Sequence, residues 1–138
     1  EIKIILNEKQ RLEIIYKLVN FYNLDLILDP KTSQISPGNF IKFNFLCKEY
    51  NISPINNFVG NLSLLIDIYK NKKDIFIINL AFYLADQYLK NIKDKKILKN
   101  DKFFEIKNYI MDNLNNFTLY NINRNSFINA VNDKLNYE

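Results

Sequence analysis

The sequence predicts an all-α fold: a compact bundle of about five to six helices around a central apolar helix at about 73–92. Three observations carry that expectation. Ile75–Ala85 reads IFIINLAFYLA, apolar at every position but Asn79, which predicts a helix buried on all sides. Apolar residues recur at three- and four-residue steps on both sides of it, the period of a helix with one buried face. The loops between these segments are short, which suits neighbouring helices that are antiparallel or steeply crossed.

Taken in order, Ile2, Ile4 and Leu6 alternate, which suits a short extended segment or a backward extension of the first helix. That helix is expected from Asn7, because Asn7 and Gln10 have capping-box spacing. Leu12, Ile15, Leu18, Val19 and Tyr22 would form its apolar face. Leu24, Leu26 and Leu28 again alternate, and Asp29-Pro30 marks a turn. Ser36-Pro37 predicts a second helix with Ser as cap and Pro at the first helical position, burying Phe40, Phe43, Leu46, Cys47 and Tyr50.

Ser53-Pro54 repeats that signal for a third helix, with Ile55, Phe58, Leu62, Leu65, Ile66 and Tyr69 along its stripe and Gly60 in its interior. The apolar segment is the fourth helix, extended to about Ile92. A fifth begins at Asn100 or Asp101 and buries Phe103, Ile106, Ile110 and Leu114, before a turn region at 113–123. Asn125 is expected to cap a sixth, which buries Phe127, Val131 and Leu135. No repeat or low-complexity linker interrupts the chain, and 138 residues fit one domain, 1–138.

Composition sets limits on function. The chain holds 23 Asn, 21 Ile and 17 Lys against 2 Arg, a bias that an A/T-rich genome supplies without selection for any activity. Without histidine the commonest general base and zinc ligand are missing, and Ser-His or Cys-His pairs cannot form. Two glycines cannot make a phosphate-binding or dinucleotide-binding loop. Asp29–Phe40 has the length of a calcium loop but carries Lys31, Gln34 and Phe40 at positions that need other residues. No cofactor and no metal is expected, and no catalytic residue is assigned. Asp25, Asp29 and Asp86 are the carboxylates worth following, with structural roles expected for each. Asn79, inside the apolar run, is expected to find a buried hydrogen-bond partner.

Cys47 is the single cysteine; it excludes an intrachain disulfide and slightly favours an intracellular setting. Ile75–Ala85 is too short to span a bilayer, which takes about 20 residues. The net charge of +4 is carried by lysine. Lys70, Lys72 and Lys73 precede the apolar helix, and Lys90, Lys93, Lys95, Lys96, Lys99 and Lys102 follow it. They are either dipole-compensating residues at helix ends or a surface for an anionic partner. Phe45–Leu65 has the outline of a helix-turn-helix, but its second helix would hold no Lys or Arg.

The expected role is therefore a non-enzymatic protein-interaction or assembly module, with a protein partner or self-association. Surface aromatics among 9 Tyr and 11 Phe would serve as anchors. The alternative is nucleic-acid binding through the lysine clusters at 70–73 and 90–102.

Overall fold

In the computed structural model, residues 4–32, 34–54, 57–95, 99–120 and 122–136 are described. The chain is all-α. Six helices run as α1 (Glu8–Tyr22), α2 (Pro37–Glu49), α3 (Phe58–Lys72), α4 (Ile75–Asp94), α5 (Asn100–Leu119) and α6 (Arg124–Leu135), and no strand occurs among the described residues. Contacts divide the chain into two compact units, Glu1–Ser53 and Pro54–Glu138.

The first unit pairs α1 with α2. Both starts follow the sequence signals. Asn7 and Gln10 form a reciprocal capping box, and Ser36 caps α2 with Pro37 in its first turn. Phe40, Phe43, Leu46 and Cys47 are buried as expected. The face of α1 is thinner than its pattern suggests: Ile15 is buried, whereas Leu12, Leu18 and Val19 are half-buried and Tyr22 is exposed. Polar anchors compensate. Arg11 is buried and donates to the carbonyls of Pro30 and Ile35, tying the irregular stretch to α1. Buried Asn44 does the same from α2. The alternating leucines form no strand; Leu28 alone is buried, and Asn44 occupies the backbone there. Ile4 is exposed and outside any helix, and Ile2 lies outside the described residues.

The second unit is an up-down-up-down arrangement closed on itself. α3 packs on α4, α4 on α5, α5 on α6, and α6 returns to α3. Short connections force neighbours to run antiparallel. Two helix starts differ from the sequence reading. α3 begins at Phe58 under an Asn57 cap, not at Ser53-Pro54, and Ile55 lies outside the described residues. Gly60 is thus in the first turn rather than the interior. α6 is capped by Asn123, not Asn125. Helix α5 continues to Leu119, so Phe117 belongs to its buried face with Phe103, Ile106, Ile110 and Leu114.

The apolar helix α4 is buried around most of its circumference but leaves a narrow stripe in water, which corrects the expectation of burial on all sides. Ile77, Ile78, Leu80, Ala81, Tyr83, Leu84 and Ala85 are buried, whereas Ile75 is half exposed to water and Asn79 is exposed. The expected buried amide is therefore absent at this position. Apolar residues continue around the helix, but the packing neighbours α3 and α5 cover only part of its circumference.

Candidate interaction surfaces

The first unit carries an apolar groove of about 420 Å³ lined by Tyr22, Leu24, Gly38, Ile41, Lys42 and Phe45. Its long wall is α2. Positions 38, 41, 42 and 45 share one side of a helix through their three- and four-residue spacing. That side is separate from the Phe40, Phe43 and Cys47 side that is buried, so α2 is apolar on two faces. The opposite wall comes from the end of α1. There Asn23 adopts φ 50°, a left-handed cap that turns the chain sharply and brings Leu24 beside Tyr22. Gly38 leaves the groove open: a β-carbon placed there would meet nothing within 4 Å. Exposure is high at this edge, 59% for Tyr22, 54% for Phe45 and 80% for Phe21, which meets the Tyr22 ring edge-on at 5.0 Å. The sequence pattern places Tyr22 on the buried face of α1 and assigns Ile41 and Phe45 to no apolar stripe. Their spacing is helical, and only the packing shows which stripe is left uncovered.

The lysines of the second unit occupy opposite ends of α4. A helix of 20 residues extends about 30 Å, so the two clusters do not merge into one face. At the first end, Lys70 donates to the Ile122 carbonyl at 3.2 Å and lies over the Phe117 ring. Lys72 is exposed in the last turn of α3, and Lys73 is its left-handed cap, over Tyr69. A polar pocket of about 420 Å³ here is lined by Lys70, Ile122, Asn123, Arg124 and Asn125. Its strongest cation is internally held. Arg124 Nε stands 2.8 Å from Asp67 Oδ1, and the two Nη groups donate to Asn125 and Ser63. The pocket is a clasp between α6 and α3.

At the other end, Lys90 pairs with Asp86 at 2.9 Å, and Lys102 pairs with Glu105 at 3.3 Å. Lys93, Lys95 and Lys99 are exposed and pair with no carboxylate among the described residues. Lys96 lies outside the described residues.

Asp25, Asp29 and Asp86 each have a partner within the fold. Asp25 pairs with Lys48 at 2.7 Å, whose hydrogen bond and charge lower the Asp25 pKa. Asp29 accepts the Lys31 amide in the turn before Pro30. Cys47 is fully buried, and burial pushes its thiol up to about 12. Among the described residues no three acidic or thiol side chains gather with metal-binding geometry, and no helix is long and apolar enough to cross a membrane. The helix-turn-helix outline departs in spacing: α2 ends at Glu49 and α3 begins at Phe58, a longer connection than the tight turn of about 3–4 residues that motif uses. The chain matches no family model, no curated protein and no solved structure.

Proposed function

We propose that this protein is a non-enzymatic interaction module whose groove between α1 and α2 receives a protein segment presenting a short row of apolar side chains. The observation that supports this reading most is an aromatic edge left in water on a helix that already has a buried face: Phe45 is 54% exposed beside Tyr22. Aromatic side chains desolvate much area for little lost side-chain freedom, which makes them frequent interface anchors. The groove admits side chains without rearrangement because Gly38 leaves space.

Two substitutions test it with opposite chemistry. Phe45→Glu places a charge on the apolar wall, and Gly38→Leu fills the groove where a β-carbon meets no clash. Proteins crosslinked to the wild-type chain in source-organism extract, or its own dimer in sedimentation, should be lost in both variants while helical content is kept. A wild-type chain that is monomeric and captures the same proteins as the two variants overturns the proposal.

A further inference from the structure

We propose that the α4–α5 end of the second unit is a docking surface for single-stranded nucleic acid, independent of the groove in the first unit. The surface is built from Lys93, Lys95 and Lys99 and from the ring of Phe104. Phe104 sits in the first part of α5 yet is 54% exposed, outside the stripe of Phe103, Ile106 and Ile110 that is buried. It is contiguous with the charge. The Lys93 ammonium lies 5.7 Å from the Phe103 ring centre, and the Phe103 and Phe104 rings meet edge-on at 5.5 Å. Lys95 occupies the C-cap position just after α4 and Lys99 the N-cap position just before α5, so both belong to the same end of the unit.

Nearby carboxylates set the strength. Lys102 and Lys134 both bond Glu105, and Asp94 and Asp101 lie exposed on the same end. Among the described residues, three lysines thus stand against two acids that form no ion pair. The net field is modest, and the aromatic ring decides which polyanion fits. A flat exposed ring offers a stacking platform, and only unpaired bases can reach it with their faces. Duplex DNA hides those faces, and lysine lacks the planar fork that reads base edges. The occupant is a flexible strand whose phosphates meet the lysines while one base stacks on Phe104, with little sequence preference.

Fluorescence anisotropy of a labelled oligothymidylate with the full chain tests this. Binding at low salt should weaken as salt rises, with a log–log slope of about −2 for three phosphate contacts on a single strand. Phe104→Ala should weaken binding about tenfold through lost stacking. The triple variant Lys93→Gln, Lys95→Gln, Lys99→Gln should abolish it. Lys73→Gln, at the opposite end of α4, should bind like wild type, as should Gly38→Leu, which alters only the protein groove. The proposal is overturned by no anisotropy change at low salt, or by a Phe104→Ala variant that binds normally. Equal loss in Lys73→Gln overturns it, and so does equal affinity for a blunt duplex or for phosphatidylserine vesicles.

Discussion

The side-chain oxygen of Asn44 accepts the backbone amide of Leu28 at 3.1 Å, from a position only 1% exposed. The same oxygen accepts Ile27 N–H at 2.8 Å, and the Asn44 amide donates to the Asp25 carbonyl at 2.8 Å. One side chain on α2 thereby does for residues 25–28 what a neighbouring strand would do, satisfying backbone groups as burial requires.

Asn44→Ala should therefore destabilise the first unit by about 3 kcal/mol, since buried backbone groups lose their only described partner and each costs about 1–3 kcal/mol. Asn79→Ala is the contrast. Its side chain is exposed, and the change should stay within about 0.5 kcal/mol. Urea unfolding followed by circular dichroism separates the two. Equal effects would contradict the assignment of Asn44 as the buried polar anchor.

Why the sequence pointed to Asn79 is instructive. A polar residue amid apolar neighbours is visible at once, whereas Asn44 sits between Phe43 and Phe45 in a helix whose two apolar faces blur its period. With 23 Asn in the chain, the residue type itself carries no signal. Caps behave the same way. Asn7 was readable because Gln10 completes a reciprocal box, and Ser36 because Pro37 follows. Asn57 and Asn123 had no such companion, and Ser53-Pro54 offered a stronger but wrong signal. The core stripe of α5 was legible because its apolar positions are few. The groove was not, because it needs Tyr22 and Leu24 beside Phe45 in space, and spacing along one helix says nothing about that.

Gly60→Ala tests the corrected start of α3. In a helix interior that change stabilises by about 1 kcal/mol. Here the Asn57 side chain accepts the Gly60 amide at 3.2 Å, and an added β-carbon would clash with the Asn57 side-chain amide. The cap must swing away, giving up about 1 kcal/mol. Thermal unfolding should show no gain, or a small loss. A clear rise in Tm would place Gly60 outside the capping turn.

Cys47 makes stability depend on pH in the alkaline range. Burial raises its folded pKa to about 12, against an ordinary value of 9.0. The neutral thiol's contribution is full below about 9 and declines as pH rises toward about 12, because the unfolded chain releases a proton that the folded one keeps. The expected slope is about −1.4 kcal/mol per pH unit in that window. Cys47→Ala lacks the thiol, so the stability difference between the two proteins should carry this slope. Alkylation of native Cys47 at pH 8 should be limited by opening of the fold, so its rate should rise with urea.

Glu105 gives the acid counterpart. Hydrogen bonds from Lys134 at 3.0 Å and Lys102 at 3.3 Å, followed by their charges, lower its pKa below the ordinary 4.5. A lowered folded value means that the contribution is present above about 4.5 and is lost as pH falls through the folded pKa. Glu105 joins α5 to α6 through Lys134, so the effect should appear as loosened packing of α6. Hydrogen exchange at the α6 amides of Glu105→Gln should be faster than wild type at neutral pH. The difference should shrink as pH drops below about 4.5 and as salt rises, because both partners are open to screening. No difference between Glu105→Gln and wild type at neutral pH would assign the α5–α6 contact to apolar packing of Phe127 and Val131 alone.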